Sequence, residues 1–363
     1  MAQLVLLSGG QRLLRQELLL LRDVLFYGHG SEKKKNNNNN NNDSNDTEAT
    51  AERRLPRLRS DVVLERLLPF LALPEPQKVV LAAGSHCTCV VRPDGQLVCF
   101  GNTFAHSDLW HISLPADLRS VVAVAAGFAH ACAVQADGRL ACFGDNSHGQ
   151  CNVPPDLGPV VAVAAGAYHT CALQADGRLV CFGDNSHGQR SLPLDLGPVV
   201  ALAAGENHTC AVQSDGRLVC FGNNSRGQCN VPADLGPVVA VAAGGFHTCA
   251  VQADGRLVCF GYNDFGQCNA PPDLGAVVAV CAGFFHTCAL QANGQLVCFG
   301  GNSQGQCNVP PALGSVMAVA AGAYHNCAVQ ADGQLVCFGR TDAGQCDVPA
   351  GLGPIRVGLV SGR

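Results

Sequence analysis

The 363-residue chain is sparing with charge: 14% of its residues are Asp, Glu, Lys or Arg, and 28 acidic against 23 basic side chains leave a formal charge of −5. A protein that grips a nucleic-acid duplex needs a basic stripe to neutralise phosphates. None is present, so nucleic acid is not expected as a partner. An uninterrupted apolar run of spanning length is missing too. Leu13 to Phe26 is leucine-rich, yet Arg15, Glu17, Arg22 and Asp23 break it, leaving it too short and too charged to cross a bilayer. It reads as an amphipathic helix. Met1 to Gly30 does not follow the basic, apolar, small-residue order of a secretory signal, so a cytoplasmic location is expected. Catalytic signatures are also lacking. No nucleophile is set beside a base, and no glycine-rich loop carries the lysine of a phosphate cradle. Ser147, Ser186, Ser225 and Ser303 share one loop position with Asp264 and Asp342, which is turn chemistry. The expectation is no enzyme, no cofactor and no metal.

What the chain does have is a 47% apolar fraction, enough for a sizeable core, together with 42 glycines and 21 cysteines. It divides by composition. Residues 1–28 form the leucine-rich helical segment. Residues 29–58 are a low-complexity linker with an asparagine run from Asn36 to Asn42, which buries too little apolar surface to offset its ordering entropy. Residues 59–77 are a short helical lead-in interrupted at Pro69. Residues 78–363 are a repeat array.

The repeat is marked by His130, His169, His208, His247, His286 and His325, each 39 residues after the last. An earlier, seventh unit carries Cys87 at the histidine position and a longer connection around Trp110. In each unit an apolar run such as Val160 to Ala165, ended by glycine, predicts an inner strand with close neighbours. Two further runs flank Asp-Gly or Asn-Gly, a strong hairpin signal, with Gly138, Gly177, Gly216, Gly255, Gly294 and Gly333 supplying the positive φ. Prolines that follow restrict any fourth strand to an edge. Seven units of three or four short strands predict an all-β fold, a seven-bladed β-propeller. Near the C-terminus Gly353 to Val360 resembles another inner strand and competes with Val79 to Leu81 to close the ring.

From Val79 onward the units resemble the repeats of the regulator-of-chromosome-condensation family, with a shared His-x-Cys-Ala-Leu, Asp-Gly, aromatic-Gly and Asn-x-x-Gly-Gln order. The resemblance implies a seven-bladed propeller. It implies function less narrowly, because such propellers serve as exchange factors for a Ran-type GTPase, modules of ubiquitin ligases, ultraviolet receptors and a secreted β-lactamase inhibitor. Trp110 stands alone where the ultraviolet receptors use tryptophan clusters, and the catalytic domain of a ubiquitin ligase is not expected. The short units are most similar to the inhibitor. The partner expected is therefore a protein, with a small GTPase or a ubiquitin-pathway component as the family-implied candidates. The sequence does not give the oligomeric state.

His169, Cys171 and Cys181 offer zinc-type ligands. Repetition of the same trio in six units points instead to construction, with each histidine satisfying backbone groups between blades. The cysteine pairs spaced by ten, from Cys89/Cys99 to Cys327/Cys337, account for fourteen of the 21. A two-residue hairpin loop puts each pair on opposite faces, and a three-residue loop puts it directly across the ladder. Reduced, packed thiols are expected in a cell, and an extracellular protein if the pairs are oxidised. Function is sought where the units disagree. Phe128, Tyr168, Glu206, Asn207, Phe246, Phe284, Phe285 and Tyr324 precede the repeated histidine, and Tyr262 and Phe265 vary in the following loop with Arg226, Arg340 and Phe104. These form the candidate partner-binding rim, or else they fill gaps between blades.

Overall fold

The computed structural model describes residues 5–6, 80–101 and 113–355. The inner strands of the seven blades are Leu81–Ala83, Val121–Ala126, Val160–Ala165, Val199–Ala204, Val238–Ala243, Val277–Ala282 and Val316–Ala321. The middle strands begin at Cys87 in blade 1 and at the six repeated histidines in blades 2 to 7. Outer strands end at Gly101, Gly144, Gly183, Gly222, Gly261, Gly300 and Gly339. Every pairing within a blade is antiparallel. Each repeat contributes three strands and no fourth among the described residues, because the proline-bearing segment after the outer strands of blades 2 to 7 folds into turns. Val5–Leu6, within the stretch read as helical, is a two-residue strand opposite Val241 and Ala240. The inner edge of blade 5 has backbone groups to share, and an extended segment satisfies them. The rest of the helical and linker segments, 7–79, lies outside the described residues.

The hairpin resolves the loop-length question. Gln174 N–H donates to the Arg178 carbonyl and Gly177 N–H to the Gln174 carbonyl, leaving three residues in the loop with Gly177 at φ +87°. That sets Cys171 directly across from Cys181. Six such pairs are disulfide-bonded, with Cα atoms 4.1 Å apart. The reduced thiols expected from the sequence are therefore not what these six pairs hold; the Cys210/Cys220 pair and seven other cysteines are thiols. Cys151, for example, donates its S–H to the Asp145 carbonyl at 3.3 Å, and burial pushes the thiol up to about 12.

Blades are joined in two ways. The first is apolar: alanines and valines of one inner strand pack on the middle strand of the neighbour, as in the cluster of Ala164, Cys171, Leu173, Val199, Leu202 and Ala204. The second is a polar chain of high regularity. His169 Nε2 lies 2.9 Å from Thr209 Oγ1 in the next blade, and Thr209 donates its hydroxyl proton to the Gln189 carbonyl at 2.8 Å. A hydroxyl has one proton. With that proton committed, the oxygen can only accept, so His169 carries a hydrogen on Nε2, and burial, which holds its pKa down to about 3, keeps it neutral. The same link joins His130 to Thr170, His208 to Thr248 and His247 to Thr287. Asn326 stands in for threonine beneath His286, and His325 reaches Thr88 to close the ring between blades 7 and 1. The histidines therefore meet side chains of the next blade rather than the backbone groups expected from the sequence. At the junction of blades 1 and 2, Cys87 replaces the donor and Ala131 the acceptor, so both partners are missing together. The inner position of blade 1 belongs to Leu81–Ala83, while Ile355 N–H docks on the Gly333 carbonyl as the first residue of each inner strand does.

A Thr209→Val substitution is expected to cost about 3 kcal/mol in urea unfolding, because it strands both the His169 N–H and the buried Gln189 carbonyl while keeping shape. A cost under about 0.5 kcal/mol would mean the polar chain is not a joint.

Candidate functional site

Strand direction gathers the variable loops. The inner strand ends where the middle strand begins, and the outer strand finishes beside that same point: His169 pairs with Gly183, and Asp184 N–H donates to the Tyr168 carbonyl at 2.8 Å. The residues before each histidine and those after each outer strand therefore share one face. The Asp-Gly hairpins lie at the opposite ends of these strands.

A girdle of backbone bonds fixes that face. Ser85, Phe128, Ala167, Glu206, Gly245, Phe284 and Ala323 each donate an N–H to a carbonyl of the following blade, at 3.0 to 3.3 Å. Side chains at these positions and at the next residue therefore radiate from a rigid ring. Phe246 stacks on Phe285 of the next blade with centroids 6.0 Å apart and also meets Phe284 and Tyr262. Phe285 touches Phe265 at 5.0 Å, and Phe284 stacks on Tyr324 at 5.7 Å. Six rings thus make one continuous cluster over blades 5, 6 and 7. Five of them are half-buried and Phe265 is 53% exposed. They pack between adjacent blades on one side and stay partly open to solvent on the other.

Cations flank the cluster. The Arg226 guanidinium lies 5.2 Å from the Tyr262 centroid, and that of Arg340 lies 6.0 Å from Tyr324 while holding Asp342 through two bonds of 2.6 and 2.7 Å. The Arg340 guanidinium keeps the Asp342 carboxyl below the usual carboxylate range. A smaller group joins Phe128 to Tyr168 at 5.9 Å, and Tyr168 to His148 at 4.5 Å. His148 was not singled out from the sequence, although it occupies the loop position of Phe265 and the signal was therefore available. Blade 4 divides the two groups with Glu206 and Asn207, which bring no ring. Burial raises the Glu206 carboxyl above its ordinary value, and its Oε2 has no hydrogen-bond partner among the described residues. Phe104 lies outside them.

Metal chemistry gains nothing from the repeated trio: His169 is held by Thr209 and Cys171 by Cys181. Among the described residues no three His, Cys, Asp or Glu side chains converge, and no helix is long and apolar enough to cross a membrane.

The regulator of chromosome condensation (RCC1) repeat model matches residues 121–150, 160–189, 199–228, 238–267, 277–306 and 317–345. No curated protein matches the sequence. Among solved structures, Prp20p from Saccharomyces cerevisiae aligns with a TM-score of 0.60 at 19% identity, over 77% of this chain and 87% of that one. The CRINKLY WD40 ectodomain of the Arabidopsis thaliana receptor kinase ACR4 gives 0.58 at 23%, over 72% and 96%. The ectodomain of the Physcomitrella patens receptor kinase CR4 gives 0.59 at 22%, over 72% and 73%. These likenesses establish the fold. With the repeats matched in six consecutive blades and seven sheets, each built on the same three strands of a repeat, the chain belongs to the RCC1-repeat family of β-propellers.

Proposed function

We propose that this protein is a non-catalytic binding propeller, a scaffold or regulator that holds a protein partner on the face built from the variable loops. The observation that carries the reading is the six-ring cluster of blades 5 to 7, where large aromatic groups anchored on a rigid frame remain open to solvent beside two arginines. Aromatic and arginine side chains dominate the energetics of protein interfaces. Relatives in fold are compatible with this. One was characterised for its binding to Gsp1p and histones, and others are the ectodomains of receptor kinases.

Nucleotide exchange on a small GTPase is the second reading, and it rests on the Prp20p likeness. A place beside a ubiquitin ligase rests on family resemblance alone.

Affinity capture with the full chain tests the proposal. Phe265→Ala and Tyr324→Ala are each expected to weaken capture of the partner at least tenfold, the effect of removing one interface anchor. Leu194→Ala, at an exposed residue outside the face, is expected to leave capture unchanged. Equal loss in all three, or in none, overturns the assignment of the face. If the captured partner is a small GTPase that releases nucleotide faster with the propeller present, the second reading replaces the first.

A further inference from the structure

We propose that every blade, blade 4 included, is closed by a disulfide between its middle and outer strands, and that the protein matures and acts in an oxidising compartment. This goes beyond the binding reading and does not depend on it.

The case starts from register. In all seven blades the paired cysteines are direct cross-strand partners. Blade 4 differs from its neighbours in nothing that would prevent a bond. Cys210 faces Cys220, with Thr209 opposite Phe221 and Ala211 opposite Val219, as the equivalent residues are in blade 5. Their sulfurs are 2.9 Å apart. The two strands already hold the backbone in place, so closing the bond requires only small side-chain rotations.

The location also suits a staple. The middle-strand cysteine is fully buried, while the outer strand has no fourth strand beyond it and its cysteine is half-buried. The covalent link therefore fastens an edge strand on the outside of the ring to the middle strand, which is paired on both sides.

The remaining seven cysteines behave differently. Cys151, Cys229, Cys268, Cys307 and Cys346 each donate an S–H to a backbone carbonyl, a role that requires the thiol. Burial pushes them up to about 11 or 12, so few are thiolates at neutral pH, and the thiolate is the form that oxidises. In blade 3 that loop position is Arg190, showing that the array tolerates its loss, whereas no blade lacks either member of the cross-strand pair. Cys87 and Cys281 are buried thiols. Seven bonds and seven thiols is the expected partition.

Each bond forms by exchange. One thiolate attacks the disulfide of an acceptor, either an oxidoreductase or a small-molecule disulfide. Its partner then displaces the acceptor from the mixed disulfide, and the acceptor leaves as a dithiol carrying the two electrons and two protons. Pairs held face to face by strand pairing persist where thiol reductants do not dominate, which is outside the cytosol.

The test uses the full chain isolated from the cells that make it, acid-quenched, denatured without reductant and alkylated with N-ethylmaleimide. Mass spectrometry is expected to find seven alkylated cysteines, rising to 21 after reduction, and a Cys210–Cys220 linked peptide. Twenty-one before reduction overturns the proposal. Nine, with Cys210 and Cys220 both alkylated, overturns it for blade 4. In a Cys210→Ser variant the count before reduction moves from seven to eight if the bond exists, because Cys220 is released. It moves from nine to eight if the bond does not.

Discussion

Lowering the pH from 7 to 4 is expected to unfold the propeller, with most of the stability lost below pH 6.5. The cause is the histidine chain between blades. Burial holds His130 and His286 down to about 4, and His169, His247 and His325 down to about 3. In the unfolded chain the same imidazoles titrate near 6.5. Below that value the unfolded state binds protons that the folded state refuses, so stability is complete above pH 6.5 and falls as pH approaches the folded values. Between pH 6 and 4.5, where unfolded imidazoles are charged and folded ones are not, five such groups give a slope of up to about 7 kcal/mol per pH unit. That exceeds half the stability of an ordinary domain within one unit. The geometry gives the same sign. Each Nε2 already donates to a side-chain oxygen of the next blade, and a proton added at Nδ1, which has no hydrogen-bond partner among the described residues, would be a buried charge. The check is a series of urea unfolding curves from pH 7.5 to 4.5. A midpoint that stays level through this range would show that the histidines are accessible or charged in the fold. A Thr88→Val variant, which removes the acceptor at the closing junction, is expected to shift the acid transition upward without changing its steepness by more than one proton.

Gly166→Ala is expected to destabilise the protein by about 3 kcal/mol or more, an unusually large cost for one methyl group. A Cβ there would lie 2.6 Å from the Gly205 carbonyl oxygen of the next blade and would also overlap the His169 ring atoms Cε1 and Nδ1. Neither neighbour can move aside. The carbonyl belongs to the rigid inner rim of the ring, and the imidazole is pinned by Thr209. Overpacking a well-filled site of this kind costs a few kcal/mol. At Gly351 an added methyl group would have nothing within 4 Å, and φ there is ordinary, so Gly351→Ala is the matched control, expected within about 0.5 kcal/mol of the parent. Thermal unfolding followed by circular dichroism compares the two. Similar midpoints would mean that the glycines ending the inner strands are there for conformational freedom and not for close approach between blades. The same crowding recurs at Gly127, Gly205, Gly244, Gly283 and Gly322, where a Cβ would meet both a histidine and the next blade's carbonyl.

Much of the candidate face was legible because the repeats act as their own reference. Within nearly identical units, Phe246, Phe285 and Tyr324 stand out as positions free of the packing that fixes His247 or Ala250. What could not be read was adjacency. Phe285 and Phe265 are twenty residues apart in sequence, on different blades and in different loops, yet their rings are neighbours. Their meeting depends on the strand directions that send both loops to one end, and on the order of blades around the ring. His148 was overlooked for the same reason: its interest lies in Tyr168, which is half a unit away.

Sequence alone determined the seven units, the hairpin turns and the places where the units differ, because all of these are set by local chemistry repeated at a fixed interval. Tertiary structure decided three things. It gave each histidine a threonine from the next unit as its partner. It set the loop at three residues and so brought the cysteines opposite each other. It merged scattered aromatic residues into one surface. The first and third depend on how neighbouring blades meet when the ring closes, which no interval within a single unit encodes; the second is local, set by the hairpin bonds from Gln174 to Arg178 and from Gly177 to Gln174, because an Asp-Gly pair fits a loop of either length.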